Sequence, residues 1–288
     1  MNSRPAPADI KAELCWLTVA RRAPGRPGSV PPSLEEHAAA GAAGGFASIA
    51  TTAEACLDAG GTAREILARD GITVGYIDAL SLGQSSRSFE LQLDAALRAA
   101  ALVDSPMINL HDSMDPPTPP GVLTDRVARA VARCRGEGRA VCLEFVPNSG
   151  IPDFDAAVRL LDAAAPAGAG VLFDTWHHFR GAGRLDTVPS LAWERVVAAQ
   201  VSDMPLARVN SAATDTSYRH GATRLPPGAG VLPLAQAIDC FHRVNLAAPI
   251  GLELVGDGWW GTDSARQLAL RGAQALAALT ENSCEESA

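Results

Sequence analysis

Residues 170–178 read GVLFDTWHH, an apolar run of strand length that ends abruptly in a carboxylate. The same pattern recurs in three further stretches: VCLEFVP at 141–147, AAQVSD at 198–203 and IGLELVGD at 250–257. Continuous apolar runs are typical of parallel strands that are buried on both faces. The polar residues near the ends of these runs are Glu144, Asp174, Gln200 and Glu253. Buried acids are costly unless they are paired or bind a cation, so their recurrence predicts one shared cation site.

Segments typical of strands and segments typical of helices alternate along the whole chain. Apolar runs of strand length alternate with segments rich in Ala, Leu and Arg whose apolar residues recur at helical spacing. The predicted strands are 13–19, 46–51, 72–79, 107–111, 141–146, 170–173, 196–202 and 250–255. The predicted helices are 33–43, 53–70, 88–102, 123–135, 153–165, 188–195, 232–243 and 264–279. This order predicts an α/β fold, a single-domain (β/α)8 TIM barrel, and a doubly wound open sheet is the alternative.

The predicted barrel spans residues 11–280, between a flexible N-terminus at 1–10 and a disordered tail at 281–288. Its first helix has Ser33 as N-cap, and Glu36 completes a capping box. Long loops at 112–121 and 204–230 follow predicted strands. In a barrel, loops after strands lie on the face that carries active sites, so we expect both to border the site.

Composition excludes several classes of function. The net charge is −8 with 24 basic residues, which argues against a nucleic-acid partner. Lys11 is the single lysine and precedes the first predicted strand, so Schiff-base chemistry is disfavoured. The six cysteines show no C-x-x-C pairing, as expected of buried thiols in a reducing compartment. The N-terminus and the rest of the chain lack an apolar run long enough to indicate secretion or membrane insertion. We therefore expect a cytoplasmic protein that has no membrane partner.

The chain resembles the xylose isomerase-like TIM barrel superfamily, the sugar phosphate isomerase/epimerase family of AP endonuclease family 2 type. The motifs that carry the resemblance are SLEEHAAAGAAGGFASI at 33–49, LEFVPNSG at 143–150, FDTWHH at 173–178, RLPPGAG at 224–230 and LELVGD at 252–257. The resemblance covers almost the whole chain, and FDTWHH is its most specific motif. In the family, the Asp of this motif binds a metal and the His three residues later contacts substrate or metal.

The resemblance implies one divalent metal ion bound by Glu144, Asp174, Gln200 and Glu253. Gln200 stands where many relatives have His, and Ala229 where the family often has Glu. An amide oxygen is a harder donor than imidazole, so we expect Mn²⁺ or Mg²⁺, with Co²⁺ or Zn²⁺ as alternatives. The resemblance further implies a homodimer or a homotetramer.

Four further residues are candidates for contacts with substrate. Arg224 suits an anionic or polyol oxygen near the metal, with a solvated surface arginine as the alternative. His111 ends the fourth predicted strand and could bind substrate or donate a proton. Trp176 and Trp16 lie at strand ends, where their indoles could line a pocket and face a sugar or another ring.

The leading functional hypothesis is a metal-dependent isomerase or epimerase. Glu144 and Glu253 would abstract and return a proton next to the carbonyl of a keto-sugar or polyol, through a metal-stabilised enediolate, with His177 as a third catalytic group. The alternative is a dehydratase of 3-dehydroshikimate or inosose type, a lyase acting on a cyclic keto acid or a polyol. A catalytically inactive binding barrel and an endonuclease IV-like phosphodiesterase are less favoured.

Overall fold

The structure is a computed structural model. It describes residues 32–113, 116–164, 168–181, 183–187, 190–213, 224–244, 250–253 and 264–285. The predicted first strand at 13–19 and Trp16 lie outside these residues.

Seven parallel strands form one curled sheet in which spatial order follows chain order. They are β1 (Ser48–Thr52), β2 (Thr73–Ser81), β3 (Met107–His111), β4 (Ala140–Glu144), β5 (Ala169–Asp174), β6 (Val196–Val201) and β7 (Ile250–Leu252). Each corresponds to a predicted strand, from the second to the eighth, within a few residues. Parallel neighbours need a crossover between them, and helical segments supply these connections.

The helices are α1 (Leu34–Ala43), α2 (Ala53–Ala59), α3 (Ala63–Asp70), α4 (Ser86–Val103), α5 (Pro120–Gly136), α6 (Phe154–Ala164), α7 (Thr175–Arg180), α8 (Leu234–Val244) and α9 (Ala265–Glu285). The predicted capping box is present, because the Ser33 hydroxyl accepts from Glu36 N and the Glu36 carboxylate accepts from Ser33 N. Helices α1 and α9 pack together, so the first and last described helices meet. None of the helices in the described part of the chain is long and apolar enough to cross a membrane.

Several helix predictions need correction. The helix predicted at 53–70 is interrupted by a 3-10 turn at Gly60–Thr62, where Gly60 has a positive φ of 54°. In place of the helix predicted at 188–195, the structure has a 3-10 helix at Ser190–Arg195. Helix α9 continues to Glu285, so residues 281–285 of the predicted disordered tail are helical, because no Gly or Pro interrupts the segment.

The interior of the sheet is layered. Side chains from five strands form an inner cluster of Ala50, Tyr76, Cys142, Leu172 and Ala198. The larger core lies between the sheet and the helices and contains the aromatic rings of Phe145, Phe154, Phe173, Trp193 and Phe241. Polar side chains appear toward the carboxyl ends of the strands, above the inner cluster. The polar side chains therefore lie together at one end of the sheet, as in other parallel barrels.

Candidate metal centre

Asp174 ends β5 and also begins the next helix. Its Oδ1 accepts hydrogen bonds from Trp176 N at 2.6 Å and from His177 N at 3.3 Å, so this carboxylate is the N-cap of α7. Helix α7 was not predicted, because FDTWHH was interpreted only as a strand end that carries a metal-binding motif. The helical turn carries His177 back over the end of the sheet.

Glu144, Asp174 and His177 come together as a cluster of ligating groups. One donor atom from each lies within 4.8 Å of the others, and all three residues are buried. His177 Nε2 is 3.4 Å from Glu144 Oε1 and 3.6 Å from Asp174 Oδ2. The structure thus places two predicted metal ligands beside the predicted catalytic histidine, within reach of one ion.

Arg224 lies inside this site, with 3% of its surface exposed. Its Nη1 and Nη2 donate to both oxygens of Asp174, at 3.1 and 2.7 Å, and Nη2 also lies 2.7 Å from Glu253 Oε2. The surface-arginine alternative is therefore wrong. The guanidinium was predicted to face a substrate oxygen, but here it holds two of the predicted metal ligands, Asp174 and Glu253, because they supply buried negative charge.

Gln200 is paired with Asp174 in the β5–β6 register, which explains why the two side chains reach the same region. Its Nε2 donates to the Tyr76 hydroxyl at 3.0 Å. Its Oε1 is buried and has no hydrogen-bond partner in the described part of the chain. A buried acceptor of this kind is normally satisfied, so its oxygen is available to a cation or a ligand.

Two interior polar residues were missed from the sequence. Asn109 on β3 donates from Nδ2 to Glu144 Oε2 at 2.9 Å and to Asp78 Oδ1 at 2.8 Å. Asp78 on β2 is buried. Its signal was present in the sequence, because it is an acid within an apolar strand, TVGYIDALS, just as Glu144 is.

Burial and neighbouring charges separate the pKa values of the site. Burial favours the neutral form of Glu144, but the hydrogen bond to His177 and the charges of His177 and His111 together outweigh burial and hold the pKa of Glu144 below its ordinary value. Burial raises the pKa of Glu253 well above its usual range despite Arg224. The pKa of Asp174 is lowered, because Arg224 and His177 overcome the effect of burial.

The pKa values of Asp78 and His111 also shift. Burial raises the pKa of Asp78 to about 7, and the nearby Glu144 carboxylate adds to the shift. Burial lowers the pKa of His111, which pairs with Glu144 in the β3–β4 register and lies within electrostatic range of His177. His111 is therefore placed at the edge of the cluster, as predicted from its strand end, and its contact with substrate stays a prediction.

Trp176 packs against Arg224 of the candidate centre. Its indole is buried and lies under the guanidinium of Arg224, with the Arg224 Cζ 4.8 Å from the ring centroid, and Arg180 lies 5.3 Å from the ring. It packs against Phe179 and Met204. The structure therefore places Trp176 against Arg224 within the fold, rather than on an open wall of a pocket. The prediction for Trp16 lies outside the described residues.

The loop that carries Arg224 is anchored by Asp203, which follows β6. Asp203 and Leu225 exchange two backbone hydrogen bonds, and the Asp203 carboxylate accepts from the backbone N–H groups of Gly228, Gly230 and Leu232 at 2.9–3.0 Å. Gly230 is required here, because a Cβ would lie 2.3 Å from Met204 O. This anchoring explains how Arg224, distant in sequence, is held against β5.

The residues of the centre fit a divalent cation. Three buried carboxylates, Glu144, Asp174 and Glu253, surround the positive charge of Arg224, so a further cation would offset excess negative charge. The Oε1 of Gln200, which has no hydrogen-bond partner among the described residues, adds a neutral oxygen donor. Together they form an oxygen-rich set with one imidazole, His177. Participation of all four residues, Glu144, Asp174, Gln200 and Glu253, as ligands stays a prediction.

The solved structures with similar folds include the following three. A xylose isomerase-like TIM barrel/4-hydroxyphenylpyruvate dioxygenase fusion protein has a TM-score of 0.74 at 19% identity, covering 96% of this chain and 44% of that one. The IolI protein, in a structure with a bound zinc atom, has a TM-score of 0.74 at 11% identity, with coverage of 87% and 94%. The probable 3-DHS dehydratase AsbF from Bacillus anthracis, involved in petrobactin synthesis, has a TM-score of 0.65 at 12% identity, with coverage of 85% and 94%.

These identities establish likeness of fold, and this chain spans less than half the length of the fusion protein. Comparison of the sequence with curated proteins finds no match. A family model described as the xylose isomerase-like TIM barrel matches residues 47–279, which include every described residue of the candidate centre. The chain therefore belongs to the xylose isomerase-like TIM barrel family.

Proposed function

We propose that the protein is a metal-dependent isomerase or epimerase that moves a proton next to the carbonyl of a keto-sugar or a polyol-derived ketone. The observation that carries the proposal is the contrast between two buried glutamates of one site. The pKa of Glu144 is lowered and that of Glu253 is raised. Titratable groups whose pKa values are pushed apart are suited to act as base and acid.

Glu144 has the environment of a base. Its Oε2 is held by Asn109, and its Oε1 lies near His177, so one oxygen is fixed while the other faces the cluster. In its ionised form it would take a proton from the carbon next to the substrate carbonyl. Burial raises the pKa of Glu253 in the metal-free protein, so Glu253 is suited to carry a proton and to return it to the neighbouring carbon or to the opposite face.

A divalent cation held by Glu144, Asp174, Gln200 and Glu253 would supply positive charge beside the substrate oxygens. We propose Mn²⁺ or Mg²⁺, because carboxylate and amide oxygens suit hard cations. His177 would hold a substrate hydroxyl or exchange its proton from Nε2, which already lies among these carboxylates. Arg224 would neutralise Asp174 and Glu253 and orient a polar group of the substrate.

The experiment is proton exchange in deuterated water, measured by NMR on a panel of keto-sugars and inososes with Mn²⁺-loaded protein. We expect deuterium to enter at the carbon next to the carbonyl. Glu144→Gln should lower the exchange rate by about 10²- to 10⁴-fold, the usual contribution of a general base. Glu90→Gln, which alters an exposed carboxylate paired with Arg129, is the matched control. Absence of exchange on every substrate, despite bound metal, would refute the proposal.

A dehydratase is the second candidate, and the similarity to the probable 3-DHS dehydratase AsbF favours it. The same proton abstraction would lead to loss of water if a hydroxyl lies β to the carbonyl. His111 and His177, both beside Glu144, are candidates to protonate that hydroxyl. Incubation with 3-dehydroshikimate distinguishes the two reactions, because dehydration forms an aromatic product that is detected by its ultraviolet absorbance, whereas isomerisation does not.

A further inference from the structure

Tyr76 lies in the inner cluster of the sheet, beneath the candidate metal centre. It belongs to β2, its side chain is fully buried, and it packs among Ala50, Cys142, Leu172 and Ala198. Its hydroxyl accepts a hydrogen bond from Gln200 Nε2 at 3.0 Å. A phenol in such an apolar layer needs a polar partner, so this contact links the inner cluster to the metal centre.

In this contact the NH₂ end of the Gln200 amide is the one that faces the phenol. An amide has a donor end and an acceptor end, and with Nε2 on the phenol the Oε1 is left buried without a hydrogen bond in the described part of the chain. Leaving a buried acceptor unsatisfied is unfavourable unless a cation or a donor binds there. The orientation seen here is the one that a metal ion requires, because only the oxygen of an amide binds a hard cation.

We propose that Tyr76 is a positioning residue that holds the Gln200 amide with its oxygen available as a neutral ligand. When Oε1 binds a cation, the NH₂ group points away from it into the interior, where it must be satisfied. The Tyr76 hydroxyl accepts that hydrogen bond. This inference rests on the proposed metal-dependent function, because it assigns a role to Tyr76 at the same centre.

The test is a double-mutant cycle on the affinity of the purified full-length protein for Mn²⁺, measured by isothermal titration calorimetry after removal of bound metal. The proteins are the wild type, Tyr76→Phe, Gln200→Leu and the double variant. Loss of a partner that orients a ligand typically weakens metal binding by about 10- to 100-fold, so we expect Tyr76→Phe to weaken Mn²⁺ binding to that extent. In the Gln200→Leu background, Tyr76→Phe should have no further effect.

Met107→Leu is the matched control, because Met107 packs against the same inner cluster and the change conserves volume. It should leave the affinity for Mn²⁺ unchanged. A Tyr76→Phe variant that binds Mn²⁺ as tightly as the wild type would overturn the inference. The same factor of weakening in both backgrounds would also overturn it, because a general packing effect does not depend on Gln200.

Failure of the proposed function gives a different result. If the wild type binds no divalent cation, the metal-dependent function and the role of Tyr76 are both refuted. If the wild type binds Mn²⁺ and Asp174→Asn abolishes that binding, while Tyr76→Phe has no effect, the metal centre stands and only the positioning role of Tyr76 is refuted.

Discussion

Replacement of Arg224 by Met should reveal that this guanidinium and a divalent cation neutralise the same carboxylates. Met keeps much of the aliphatic stem, so the change removes mainly charge. The side chains of Arg224, Asp174 and Glu253 are 3%, 0% and 5% exposed, so solvent does little to screen the interaction. Loss of one partner of such a buried pair costs about 3–5 kcal/mol. In EDTA at neutral pH, we expect the free energy of unfolding to fall by about that amount.

The size of the loss should depend on pH. The pKa of Asp174 is lowered in the folded protein, so the ionised carboxylate contributes stability at pH values above its unfolded pKa. That contribution disappears as the pH falls through the folded pKa. The difference between the wild type and Arg224→Met should therefore be largest near neutral pH and should diminish in strong acid.

Metal should partly rescue the variant. A ligand that binds the folded state at about 100 times its Kd adds about 2.7 kcal/mol of stability, and removal of a competing positive charge should tighten Mn²⁺ binding. We therefore expect Mn²⁺ to stabilise Arg224→Met more than it stabilises the wild type, as measured by urea denaturation followed by circular dichroism.

The matched control is Arg129→Ala, which breaks an exposed pair with Glu90 and should not change stability measurably. Equal stabilisation of wild type and Arg224→Met by Mn²⁺ would refute the reasoning, because Arg224 and the cation would then act on separate groups. Full stability of the variant in EDTA would refute the buried ion pair itself.

Three further predictions concern the same centre. Asp78→Asn should stabilise the metal-free protein, because the pKa of Asp78 is raised from 3.8 to about 7 in the folded state. The gain in stability should be small below pH 4, grow as the pH rises and level off above about pH 7. Urea midpoints measured across this range would contradict the prediction if the gain shrank with rising pH. Asp203→Ala should lower the free energy of unfolding by about 1–3 kcal/mol, because backbone N–H donors of the loop that carries Arg224 lose their acceptor. Limited proteolysis near Arg224 should become faster. Unchanged proteolysis would contradict the role of Asp203 as the anchor of this loop. Gln200→His should raise the ratio of Zn²⁺ to Mn²⁺ affinity, since imidazole suits zinc; competition titrations that leave the ratio unchanged would argue against Gln200 as a ligand.

Local features of the fold were predicted well because they depend on neighbours along the chain. Apolar runs placed β1 to β7 within a few residues, and the Ser33–Glu36 spacing predicted the capping box that begins α1. The prediction for 53–70 was less accurate, because a helical period does not show where Gly60 interrupts the helix. Helix α7 was missed because Asp174 was assigned one role, whereas its carboxylate also caps a helix.

The sequence alone determined that acids end several parallel strands, and therefore that Glu144 and Asp174 lie at one end of the sheet. Only the tertiary structure decided what each polar atom contacts. Tyr76 and Gln200 are 124 residues apart in the chain, and Arg224 and Asp174 are 50 apart. Strand and helix formation follows from backbone sterics and hydrophobic period within a few residues, whereas these pairings depend on sheet register and loop anchoring, which are products of the folded chain.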